Sequence, residues 1–182
     1  MSCGCKTDAA KTSDSTDIVL KVDFLFLDDK VCVPCGSTAQ TLSEAAGMLT
    51  EPLRSMGVDL VVEKIHVADL KAAEGQKFLS SPTIRVNGRD IDPARTEEDC
   101  PTCGDLAGGR TSVACRNWHW RDKVYQSAPV GRIVEAIMEA ALPLNKSIED
   151  CCREAEDDED YVMPENLKRF FATQAPNQKM CC

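Results

Sequence analysis

Basic charge, histidine and long apolar runs are all scarce in this chain of 182 residues. Lysine and arginine number 21 against 30 aspartates and glutamates, a formal net charge of −9. That balance excludes nucleic acid and an anionic membrane surface as expected partners. No uninterrupted apolar stretch reaches the length that spans a bilayer. The opening residues, MSCGCKTDAAKTSDSTD, have neither the basic nor the apolar region of a secretory signal, so the cytoplasm is the expected location. No repeat of fixed period is visible.

Cysteine is what the chain has in excess. Eleven are present, an odd number, so complete internal pairing is impossible. In a cytoplasm that keeps thiols reduced, clustered cysteines point to metal or redox chemistry ahead of structural disulfides. Much of the acidity sits in one run, EDCCREAEDDED over 149–160, with eight carboxylates against one arginine. Such a block reads as a solvated linker, with an acidic docking patch as the weaker alternative.

Three regions are expected: a polar, disordered N-terminus over 1–17, a folded domain over 18–142, and an acidic tail over 143–182. In the domain, IVLKVDFLFL (18–27) has the β-branched and aromatic character of a buried strand. Leu42, Ala45, Ala46, Leu49 and Leu53 share one helical face, with Pro52 expected to kink or end the helix. VDLVVEKIHV (58–67) reads as a second strand and 68–79 as a weaker helix. PTIRVNGRDID (82–92) reads as a hairpin turning at Asn87-Gly88. Val130, Ile133, Val134, Ile137 and Ala141 mark a last core helix. Right-handed crossovers turn this order into a mixed sheet flanked by helices, the thioredoxin-like arrangement.

Two features fit that arrangement. Cys32-Val-Pro-Cys35 follows the first strand and precedes the first helix, and Ser81-Pro82 stands just before the hairpin, where a cis-proline loop would lie beside the dithiol. In a redox reading Cys32 is the nucleophile and Cys35 the resolving thiol. Ser81, Pro82 and Thr83 would then offer backbone groups to an extended substrate, and no cofactor is needed. Protein or small-molecule thiols and disulfides would be the partners. Pro34, lacking an N–H, suits a helix start that carries Cys35 one turn along from Cys32, whereas Ser37-Thr38-Ala39-Gln40 has the form of a capping box, which would start the helix at Ser37 and leave Cys35 in a loop.

A second cluster lies in an insertion over 93–128. Cys100, Cys103, Cys115 and His119 follow the pattern C-x2-C-x11-C-x3-H, spacings compatible with a structural zinc site that would hold an otherwise coreless segment together. A Cys100–Cys103 disulfide and a second dithiol exchanging with Cys32 and Cys35 are the rival readings. His119 stands between Trp118 and Trp120, where a packed histidine is the commoner outcome; His66 is assigned no role. The adjacent pairs Cys151-Cys152 and Cys181-Cys182, with Cys3 and Cys5, suit capture of thiophilic ions such as arsenite, mercuric or cuprous ion. This gives a second functional class, a soft-metal or metalloid carrier. A short helix over 162–172, with Leu167, Phe170 and Phe171 inward, would dock the tail.

Taken together, CVPCGST, SSPTIRVNGRDI, CPTCG and ACRNW resemble a group of bacterial and archaeal thioredoxin-like proteins known as a domain of unknown function. The resemblance covers about residues 18–142. It implies the fold and the cysteine pattern, and supplies no reaction.

Overall fold

The computed structural model describes residues 18–109, 112–144 and 161–174. Strand β1 (Ile18–Phe26) is the spine of a four-stranded mixed sheet ordered β2-β1-β3-β4. It pairs in parallel with β2 (Val58–His66), Ile18 opposite Val58 and Phe26 opposite His66. On its other side it pairs antiparallel with β3 (Thr83–Val86), which turns through Asn87-Gly88 into β4 (Arg89–Asp90). Asn87 and Gly88 both take positive φ, the geometry that this dipeptide favours in tight turns.

Helix α1 (Val33–Ser55) buries Cys35, Thr38, Ala39, Leu42, Ala45, Leu49 and Leu53, a stripe of helical period. It lies on β2 and against α4 (Val130–Leu144), which contacts β1 and β3. Each large side chain enclosed between these helices and the sheet, such as Leu42, Leu53, Ile133 or Ile137, contributes about 1.5–3 kcal/mol. The buried Thr38 hydroxyl of α1 accepts the amide of Ala128, just ahead of α4, at 3.2 Å.

Three local expectations are corrected. Helix α1 starts four residues before Ser37, with Cys32 at the N-cap, because Pro34 tolerates the first turn and the Gly36 amide reaches the Cys32 carbonyl at 2.9 Å. Pro52 does not end the helix, which continues to Ser55; near the C-terminus proline forgoes one backbone bond among many. The expected helix over 68–79 shortens to α2 (Leu70–Gly75), capped by Asp69 through the Ala72 amide at 2.8 Å.

The insertion is not coreless. It forms β5 (Glu97–Asp99), α3 (Pro101–Leu106), β6 (Ala114–Arg116), β7 (Trp118–Trp120) and β8 (Lys123–Tyr125), with β5 paired to β6 and β7 to β8. Its Cys103, Val113, Cys115 and Trp118 are buried in the same apolar cluster as the sheet and helices. A single core therefore serves both parts. Helix α5 (Glu165–Gln174) adds Leu167, Phe170 and Phe171 to that core, with Met163 just ahead of it. The Tyr161 hydroxyl donates to the Phe78 carbonyl at 2.9 Å, and Asn166 pairs with both backbone groups of Ala114, at 2.9 and 3.1 Å.

Candidate functional site

The segment after β1 is a turn built around Asp28. Its carboxylate accepts the Lys30 and Val31 amides at 2.8 and 2.7 Å, and these contacts, Val31 first, hold it below the usual carboxylate range. The turn delivers Cys32 to the start of α1 in an extended conformation (φ −75°, ψ 112°). Helix α3 repeats the device: Cys100 stands at its N-cap (φ −112°, ψ 104°), Pro101 follows, and the Gly104 amide meets the Cys100 carbonyl at 3.0 Å. CVPCG and CPTCG thus have the same local structure at the starts of two helices.

Cys115 comes to the same place from β6. The Arg116 amide donates to the Ser81 carbonyl at 2.7 Å, and the Cys100 amide donates to the Val113 carbonyl at 2.9 Å. These bonds tie β6 between the proline loop and α3. The sulfurs of Cys32, Cys100, Cys103 and Cys115 consequently converge, each ligand atom within 4.8 Å of the others. Cys103 Sγ is 3.4 Å from Cys32 Sγ and 3.3 Å from Cys115 Sγ, and Cys32 Sγ is 3.6 Å from Cys115 Sγ. All four residues are buried, Cys32 being 1% exposed. Tetrahedral zinc at about 2.3 Å from each sulfur needs sulfurs about 3.8 Å apart, so four thiolates here can close around such an ion with small side-chain movements.

Cys35, a fifth buried thiol, stands one step aside. Its sulfur is 3.4 Å from Ser81 Oγ, which accepts the Leu27 amide at 3.2 Å. The Ser81-Pro82 peptide is cis, and Thr83 Oγ1 donates to the Ser80 carbonyl at 2.6 Å. Of the groups expected to receive an extended substrate, the Ser81 carbonyl is already bonded by Arg116, and Thr83 is in register with Leu25 of β1.

The thiols polarise one another. Hydrogen bonding from Cys103, then Cys115 and Cys35, lowers the Cys32 pKa and makes it the favoured thiolate. Cys35 is pushed up by its bond to Cys32 and by burial. Cys115 is raised by its contacts with Cys103 and Cys32 and by burial. For Cys103 the Cys115 contact acts downward, but Cys32 and burial outweigh it, and the result is upward. A cleft of about 190 Å³ adjoins the cluster, with Val33, Pro34, Cys100, Cys115, Arg116 and Gln126 in its wall.

The grouping differs from the one read from spacing. Cys100, Cys103 and Cys115 do meet, but their fourth companion is Cys32. His119 is turned away from the sulfurs: its Nε2 is 3.0 Å from Thr96 Oγ1 and its Nδ1 3.2 Å from Asp92 Oδ2. The Asp92 carboxylate also accepts the His119 amide at 2.7 Å, which fixes the ring's direction. His66 Nε2 lies 3.0 Å from the Leu27 carbonyl. The signal for Cys32 was the repetition of C-x-x-C-G, since two like helix starts can present their first cysteines to one point. Cys3, Cys5, Cys151, Cys152, Cys181 and Cys182 lie outside the described residues.

Behind β6 the buried Arg116 guanidinium makes two 2.8 Å bonds to Asp90, one of 3.2 Å to Thr83 Oγ1, and stacks on Trp118 with 4.6 Å between guanidinium carbon and ring centroid. Among the described residues no helix is long and apolar enough to cross a membrane. A family model described as a domain of unknown function, DUF2703, matches residues 20–137. No curated protein and no solved structure matches the chain significantly.

Proposed function

The chain belongs to the DUF2703 family, and from that premise we propose that it is a thioredoxin-like protein that binds a thiophilic metal ion through Cys32, Cys100, Cys103 and Cys115. The convergence of four buried sulfurs within 4.8 Å carries this reading. Four protein thiolates complete a tetrahedron and leave no open position for substrate, so the ion is held rather than used as a catalyst. Zinc suits the set, and cuprous, mercuric or arsenite species suit its softness. A reducing compartment such as the cytoplasm keeps the ligands available.

The test is metal analysis with a thiol count on anaerobically purified full-length protein. One ion per chain is expected, with four thiols protected from alkylation by a divalent ion, or three by arsenite, until the ion is removed. Failure to retain zinc, copper, mercury or arsenite after loading, with every thiol reactive, refutes the reading.

A second reading is supported by Cys35 resting against Ser81 beside the cis Pro82. In it the protein is a thiol–disulfide oxidoreductase, with Cys32 as nucleophile, Cys35 as resolving thiol, and Ser81, Pro82 and Thr83 at the docking edge for a thiol or disulfide partner. The burial of Cys32 counts against attack on a large external disulfide, because thiol exchange requires access. Turnover of a model disulfide by wild type, lost in Cys32→Ser, is the outcome that would favour it.

A further inference from the structure

We infer that β6 occupies the docking edge of the Cys32/Cys35 dithiol as an internal substrate, and that in the metal-free protein a disulfide passes between Cys103/Cys115 and Cys32/Cys35. This goes beyond metal binding and uses the same sulfurs in a different state.

The backbone carries the inference. An extended chain approaching the proline loop would bond to the Ser81 carbonyl, and the Arg116 amide does so at 2.7 Å. The residue before Arg116 is Cys115, whose sulfur is 3.6 Å from Cys32 Sγ and 3.3 Å from Cys103 Sγ. Along the same edge Asn166 bonds both backbone groups of Ala114, two residues before Arg116, while β5 pairs with the opposite edge. Distance alone does not separate Cys103 from Cys115 as the sulfur met by Cys32, since the Cys103–Cys32 separation is 3.4 Å. The strand does: Cys115 is presented on a chain bonded to the proline loop, and Cys103 on a helix that is not. Cys35, against Ser81, is placed to resolve.

The exchange balances within the chain. A low-molecular-weight disulfide, small enough to reach Cys115 through the cleft that this residue lines, first exchanges with Cys115; Cys103 then closes the Cys103–Cys115 bond, and the reagent has left as two thiols. The Cys32 thiolate then attacks Cys115 Sγ, the Cys103–Cys115 bond breaks, and its electron pair leaves on Cys103, which takes up the proton lost by Cys32. Cys35 gives up its proton and attacks Cys32 Sγ. The Cys32–Cys115 bond breaks, and Cys115 receives the electron pair and that proton. Two electrons and two protons have moved from Cys32/Cys35 to Cys103/Cys115, and the disulfide now joins Cys32 to Cys35.

The intermediate can be trapped in full-length C35S/C103S, reduced, freed of metal by chelation under anaerobic conditions, and given one equivalent of oxidised glutathione. After acid quench and alkylation, trypsin separates Cys32 (residues 31–54), Cys100 (96–110) and Cys115 (111–116) into three peptides. The expected product joins peptides 31–54 and 111–116, at least tenfold above any joining 31–54 to 96–110. Cys32 found as a glutathione adduct or joined to Cys100, with Cys115 free, overturns the inference.

Wild type provides a second measurement that does not depend on the variant's folding. In graded glutathione buffers it should yield Cys32–Cys35 and Cys103–Cys115 disulfides as alternatives on different molecules, and absence of the second pair likewise overturns it. Metal content is read separately on reduced, untreated protein, so loss of either result leaves the other interpretable.

Discussion

Arg116 and Cys32 show how single side chains divide between stability and chemistry. Arg116 is fully buried, and its charge is answered by the bidentate contact with Asp90. Replacing Asp90 by Ala strands that charge and should cost about 3–5 kcal/mol, read as a fall in the denaturant midpoint. Thr38→Val removes the acceptor for the buried Ala128 amide and should cost about 1–3 kcal/mol in the same measurement. Cys32→Ser, by contrast, should leave the reduced fold intact and weaken metal retention at least tenfold in competition with a chromophoric chelator. Asp28 adds a pH dependence of definite sign. Its folded pKa lies below the unfolded value, so its contribution is full above about pH 4 and is lost as the pH falls through the lower folded value. Asp28→Ala should erase that part of the acid-limb slope in urea melts followed across pH. Little of this was legible in sequence: an arginine in ACRNW gives no sign that its guanidinium is enclosed, because that depends on a hairpin carboxylate far along the chain.

At the scale of elements, local chemistry was readable and docking was less so. The run of β-branched residues in β1, the Asn87-Gly88 turn and the apolar stripes of α1 and α4 each depend on near neighbours, and each formed. Two signals compete at the start of α1: Ser37 has capping chemistry, while Pro34, two residues after Cys32, suits an earlier start, and the earlier start is the one taken. Gly36 is constrained by the same packing: a Cβ there would lie 2.9 Å from the Asp29 carbonyl oxygen. Gly36→Ala should therefore destabilise by about 1–3 kcal/mol and shift the first turn of α1, visible as altered alkylation rates at Cys32. The insertion looked coreless because its apolar residues are few and widely spaced. They are buried by joining a core built elsewhere. Helix α5 works in the same way, and Leu167→Ala should cost about 2–5 kcal/mol, measured by thermal unfolding.

For the whole molecule, the site draws Cys32 from the sheet–helix domain and three cysteines from the insertion. An ion held by all four cross-links segments far apart in sequence, so chelation should lower the melting temperature of wild type and have much less effect on Cys32→Ser. The spacing C-x2-C-x11-C-x3-H located three of the four sulfurs and supplied the wrong companion. Spacing reports only what one segment can assemble, whereas the fourth sulfur is brought by tertiary folding.

The burial of these sulfurs also bears on selectivity among ions. A divalent ion on four thiolates is a unit of net charge −2, and the enclosed Arg116, the residue after Cys115, is already matched by Asp90. A trivalent arsenic centre on three thiolates carries no net charge and avoids the cost of an unbalanced anion away from water. The enclosed position should therefore discriminate against monovalent copper, which would leave −3, more strongly than exposed thiols of equal number do. Arsenite uptake should leave one of the four cysteines open to alkylation, and the extent of labelling would report which kind of ion the interior accepts.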